Sequence, residues 1–242
     1  MRPIPVLLAC VLSSVQIAWF SQIGSADEPN QHALTAKQIL DRMAKTCAEC
    51  KTYRDSGVVT TVFIEASGNQ TVEKPFNTSF VRPDRFRFEY HKKTSVGQKE
   101  RYIVWRKGKE VQTWWDIKPG VQKEESLDLA IAGATGVSGG SAHTIPALLL
   151  PHEVSGRPLT DLTESKRIDD GNLEKVGCFR IQANYADVPE TLWIDKRSFL
   201  VRRIDAQEKF ANFRTEETTT YEPVVDGEIP DKALEFNPPK AK

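Results

Sequence analysis

The chain has 242 residues, with 33 Lys+Arg against 33 Asp+Glu and a hydrophobic fraction of 39%. That composition suits one soluble domain with a real core. The balanced charge excludes a broad basic field for holding nucleic acid or an anionic membrane surface.

The first residues follow the order of an export signal. Met1-Arg2 is a positive start, Val6 to Phe20 is apolar, and Gly24-Ser25-Ala26 offers small residues before the polar Asp27-Glu28-Pro29. The expectation is a signal peptide over 1–26, cleaved after Ala26, leaving 27–242 as one domain in the periplasm or outside the cell. The apolar run is too short and broken for a transmembrane span, and no later stretch is apolar enough for one. Leu7-Leu8-Ala9-Cys10 looks like a lipoprotein box, but most of the apolar region follows Cys10, which argues against lipidation there.

Thr35 and Gln38 form a capping-box pattern, and Ala36, Ile39, Leu40, Met43, Ala44 and Cys47 recur at helical spacing. This predicts an amphipathic helix over about 35–50. Cys47-Ala-Glu-Cys50 falls at its C-terminal end, the wrong pole for a redox pair. Export favours a structural disulfide, so Cys178 is expected to pair with Cys50, or with Cys47 as the alternative.

From Gly57 the period becomes two. Val58 to Ile64, Phe76 to Phe80, Phe86 to Tyr90, Tyr102 to Trp105 and Val111 to Trp115 read as strands joined by short turns. The pattern then breaks. Residues 126–132 and 144–150 are short apolar helical segments flanking a Gly-rich stretch, 133–141, that reads as flexible. Strands resume near Leu162, with a hairpin turn expected at Asp169-Asp170-Gly171-Asn172, then at Val176–Gln182, Thr191–Asp195, Leu200–Ile204 and Asn212–Tyr221. The predicted fold class is mainly β (α+β): a single strongly curved antiparallel sheet, or unclosed β-barrel, of about ten strands. An N-terminal helix and short lid helices, within 124–151, would cover its concave face.

Catalytic patterns are weak. Gly136-Val-Ser138-Gly-Gly140 matches a nucleophile-elbow string but lacks the strand before it and the long helix after it. His32, His91, His143 and His152 form no metal-binding pair, so no metal or cofactor is expected. The remaining candidate is an apolar cavity. Phe76, Phe80, Phe86, Phe88, Tyr90, Trp105, Trp115 and Trp193 alternate along strands, and Leu127–Ile131, with Leu129, and Ile145–Leu150, with Leu148, would form its lid.

Phe80-Val-Arg-Pro-Asp-Arg-Phe-Arg-Phe-Glu-Tyr90, Leu192-Trp-Ile-Asp-Lys196 with Leu200-Val-Arg-Arg-Ile204, and Ile229-Pro230 to Phe236-Asn-Pro-Pro239 occur in that order. On these segments the chain resembles the LolA/LolB-like lipoprotein-carrier superfamily. The resemblance implies an unclosed β-barrel with a helical lid over an apolar cavity, and ligands that are lipid-modified molecules of the cell envelope. The expected function is a non-enzymatic carrier or binding protein for a lipid or lipoprotein acyl moiety. The alternative is an envelope sensor or interaction module that binds a protein partner.

Overall fold

The computed structural model describes residues 33–93 and 99–239. The expected signal peptide, Cys10 and His32 lie outside the described residues. A compact unit spans Leu34–Lys242. Its first element is α1 (Ala36–Glu49), which opens with the expected capping box: Thr35 accepts from the Gln38 amide, and the Gln38 side chain accepts from the Thr35 amide. Ile39, Leu40, Met43 and Cys47 form its buried stripe.

A meander follows: β1 (Thr52–Glu65), β2 (Gly68–Val81), β3 (Arg85–Lys93), β4 (Lys99–Lys107), β5 (Glu110–Trp115) and β6 (Lys118–Lys123). Two helices come next, α2 (Leu127–Ser138) and α3 (Ser141–Leu149). A second meander completes the sheet: β7 (Thr163–Leu173), β8 (Val176–Tyr185), β9 (Val188–Asp195), β10 (Val201–Lys209) and β11 (Phe213–Tyr221), with the short β12 (Val224–Val225) beside β1. The result is one antiparallel 12-stranded sheet in the order β6-β5-β4-β3-β2-β1-β11-β10-β9-β8-β7, left open between β6 and β7. The two meanders join where β1 meets β11. Inward residues from strands far apart in this order, such as Val111 and Phe86 on one side and Phe179 and Leu192 on the other, enter a single apolar core with α1, α2 and α3. The sheet therefore wraps around the helices as a trough, the fold class expected.

Three local expectations are corrected. The Gly-rich stretch is not a flexible loop. The α2 helix runs through Gly133 and Gly136, because Ser126 caps its start and Leu127, Ala130, Ile131 and Ala134 bury one face. The break comes only at Gly139 and Gly140, with φ of +67° and +77°, a left-handed pair that few other residues tolerate. The Asp169–Asn172 segment is not a turn either. It lies within β7 at a register shift, and a Cβ on Gly171 would fall 2.5 Å from the Trp193 ring. That glycine permits close packing rather than reversal. Finally, Cys47, Cys50 and Cys178 are all free thiols. Cys50 lies in the inner core, whereas Cys178 neighbours the inward Phe179 and so faces the opposite side of the sheet.

Candidate functional site

The concave face has two halves. Toward one end, Phe76, Phe80, Phe86, Phe88 and Tyr90 are at most 1% exposed, packed under Ile131, Ile145 and Leu148. These expected cavity-lining residues come together and pack in one core with side chains of α2 and α3, while the open space beneath 124–151 lies at the α2–α3 junction, from Thr135 to Thr144. Trp115 packs at the rim of this core and borders a second cleft, also of about 250 Å³, beside Gly133. The other expected lining residues do not belong to the face. Trp105 alternates with the inward Val104, so it points outward, donating from Nε1 to Leu234 O at 2.7 Å and packing on Phe236. Trp193 alternates with Leu192 and Ile194 in the same way, donating to Asp205 at 2.8 Å with Arg180 over its ring. Leu129 sits on the outer side of α2, 52% exposed.

Ser138 is buried at the end of α2. Its hydroxyl donates to Thr135 O and accepts from the Ala142 amide, so it is committed to joining α2 to α3. His143 Nε2 lies 2.8 Å from Ser155 O, and His91 contacts Glu89. No cluster of metal-ligating side chains occurs among the described residues.

The other half of the concave face is open. Between the α2–α3 junction and strands β8 to β11 lies a cleft of about 250 Å³. Its walls include Gly139, Gly140, Thr144 and Arg157, and its floor Leu159, Ile204, Ala206 and Tyr221. The strand register places its groups in rows. Glu190, Ala206, Glu217, Thr61 and Val72 face one another across β9, β10, β11, β1 and β2. One row inward come Leu192, Ile204, Thr219, Val59 and Lys74. Beyond the row of Glu217, Phe63 and Phe213 lie 6.3 Å apart, and Phe210 stacks on Phe213 at 4.4 Å.

The electrostatics of this half follow from burial. Burial, with the nearby Glu217 charge, pushes the Glu190 carboxyl up from 4.5 to about 7, and its Oε2 has no hydrogen-bond partner among the described residues. Glu217 accepts from Thr61 Oγ1 at 2.7 Å. Desolvation lowers the Lys74 ammonium, partly offset by Glu217. Tyr221 is 3% exposed, and burial raises its phenol. Thr144 stands beside it but donates its hydroxyl to Gly140 O at 3.2 Å, and the Tyr221 hydroxyl has no partner of hydrogen-bonding geometry among the described residues. At the border of the two halves, Asp55 is buried, accepting from Tyr53 OH at 2.8 Å and from the Thr78 amide at 2.9 Å.

Sequence reasoning missed Glu190, Glu217 and Lys74. A signal existed: each is in phase with inward residues, namely Leu192 and Ile194, Thr219 and Tyr221, and Phe76 and Phe80. A charge at an inward phase is the informative exception.

No protein-family model matches the chain, and no curated protein matches it. Among solved structures it is similar to a DUF1329-family protein from Desulfovibrio piger, at 11% identity over 83% of this chain and 95% of that one, with a TM-score of 0.36. An outer-membrane lipoprotein-sorting protein domain from Vibrio parahaemolyticus is similar at 8% identity, over 82% and 95%, with a TM-score of 0.37. A LolA-superfamily protein from Nitrosomonas europaea follows at 9% identity, over 84% and 99%, with a TM-score of 0.33. At such identities and TM-scores these neighbours say nothing about function, which has to come from the chain's own residues.

Proposed function

We propose that this chain is an exported, non-enzymatic binding protein of the cell envelope that takes an acyl chain or similar apolar moiety into the open half of its trough. The observation that supports this is the division of one concave face. The aromatic half is closed by the chain's own helices, while the half over Ile204 and Ala206 remains a cleft of about 250 Å³. From there the face runs on to Phe63 and the stacked Phe210 and Phe213. An alkyl chain laid along this path gains about 0.8 kcal/mol per buried methylene. Such a ligand needs an apolar floor and exclusion of water rather than many polar contacts. The wall of the cleft ends at Gly139 and Gly140, where α2 and α3 can change their mutual angle without straining a side chain. A longer chain could be admitted by that adjustment.

Native mass spectrometry of protein purified from its own envelope, paired with titration of a fluorescent acyl probe, tests the reading. Bound lipid or saturable uptake is expected. Absence of both bound lipid and saturable uptake would end it.

A further inference from the structure

The row Glu190–Ala206–Glu217 sets two carboxylates on either side of a methyl group, with their backbones about 10 Å apart because neighbouring strands are spaced about 4.8 Å. The side chains stand over the same cleft. Neither carboxylate has an ion-pair partner among the described residues. Glu217 takes a hydrogen bond from Thr61, but Glu190 Oε2 is buried and takes none. A buried carboxylate oxygen left bare costs free energy that a bound donor would recover.

Among the described residues, none of the nearby cations forms an ion pair with Glu190. Arg157 lies 5.8 Å over the Tyr185 ring, and Tyr185 OH donates to Arg157 O. Lys74 reaches from β2 to the Gly139 wall, where its ammonium and a Glu217 oxygen each lie 3.7 Å from the place of a Gly139 Cβ, so it serves the Glu217 side of the row and not Glu190. His143 is occupied with Ser155 O. A second, independent feature lies at the inner end of the cleft, where the buried Tyr221 hydroxyl makes no hydrogen bond of good geometry among the described residues.

We propose that this cleft selects an organic ammonium group carried on an alkyl chain, with the ammonium held over Ala206 between Glu190 and Glu217. The inference rests on the binding reading above and narrows its ligand class. The ammonium presents N–H donors and a positive charge, the complement of an unpartnered carboxylate oxygen beside a second carboxylate. The Tyr221 hydroxyl takes a polar atom at the buried end of the ligand, and Ile204 and Leu159 take its apolar body. A carboxylate headgroup would add a third like charge to the row and is excluded.

The test is calorimetric titration of the purified protein with dodecylammonium, dodecanol and dodecanoate, each below its micelle concentration. At pH 8 dodecylammonium should bind at least about tenfold more tightly than dodecanol, about 1.4 kcal/mol, and dodecanoate most weakly. The groups facing Glu190 are Glu217 and Tyr221 on β11, Tyr185 on β8, and Arg157 and His143 from the lid side, with the Lys74 ammonium beside Glu217 at the Gly139 wall. Glu190 gives up its proton near pH 7, so the ammonium-to-alcohol ratio should grow between pH 6 and pH 8. In the double variant E190Q/E217Q, checked for folding by circular dichroism, the ratio should collapse toward one. Equal binding of ammonium and alcohol by the unaltered protein overturns the ammonium assignment while leaving alkyl binding intact. A preference that survives the double variant overturns the role given to these carboxylates. Failure of every alkyl compound to bind overturns both this inference and the function it rests on.

Discussion

The two halves of the trough share one sheet, one alternation and one concave face, yet they differ in how that face is finished. In the capped half the inward positions of β2 and β3 are Phe76, Phe80, Phe86, Phe88 and Tyr90, and three helices close over them. In the open half the inward positions of β9 to β11 include Glu190, Ala206, Glu217 and Thr219, and no helix covers them fully. Large apolar side chains draw a cover because each buries much area. Small and charged ones leave a floor that a cover could not desolvate without cost. Burial on a curved sheet is thus decided position by position, and the hollow is where the inward residues are small or charged.

The largest effect should come from breaking the capped half. Phe88 is 0% exposed and stacks with Phe76 at a centroid distance of 6.1 Å. Phe88→Ala should cost about 3–5 kcal/mol, read from the urea midpoint at constant slope. Ala at Phe210, 43% exposed at the far tip of the open half, should change stability by under about 0.5 kcal/mol. Similar losses at the two sites would erase the distinction between the halves.

Most of the capped half was legible in the sequence, because period-two phenylalanines and the Thr35–Gln38 cap are local signals. The open half was not. The row of Glu190, Ala206 and Glu217 depends on the register of three strands, which no local pattern fixes. Trp105 and Trp193 were misplaced because aromatic size was read ahead of phase. Both stand one residue out of step with their inward neighbours and are covered on the outer face, Trp105 by the C-terminal segment. The disulfide reading failed for the same reason: Cys178 is out of phase with Phe179. The Asp169–Asn172 string has turn composition, but its glycine answers to Trp193 across the sheet, a contact invisible along the chain.

At the border of the halves, Asp55 sharpens the comparison through pH. Burial raises its carboxyl from 3.8 to about 6, against the hydrogen bonds from Tyr53 and Thr78 that lower it. The folded state therefore holds this proton more tightly than the unfolded state does. Stability contributed by the protonated acid is present at low pH and is lost as pH rises through the window from 3.8 to about 6. Asp55→Asn keeps an acceptor for the Thr78 amide and removes the charge. Relative to this variant, the unaltered protein should lose on the order of 2–3 kcal/mol between pH 4 and pH 7. Comparing the pair cancels acids shifted the other way, among them Glu89, Asp170 and Asp195. Parallel curves would mean that Asp55 is solvated and that the border is wet.

The smallest effect belongs to the open half itself. Glu190 is raised from 4.5 to about 7 by burial and by Glu217, so its sign is that of Asp55 but its window is higher. The folded state binds the extra proton between those values, and stability falls as pH climbs through them. Because the cleft is open to water, solvent screens much of the cost. Glu190→Gln should therefore be about as stable as the unaltered protein at pH 5 and about 1 kcal/mol more stable at pH 8 in the absence of ligand. A saturating alkylammonium should reverse the order at pH 8, since a ligand that binds only the folded carboxylate form stabilises it by mass action. Thermal melts of both proteins, with and without the amine, read both signs. A gain at pH 8 that the amine fails to reverse would leave Glu190 as a strained residue of the rim with no part in holding a ligand.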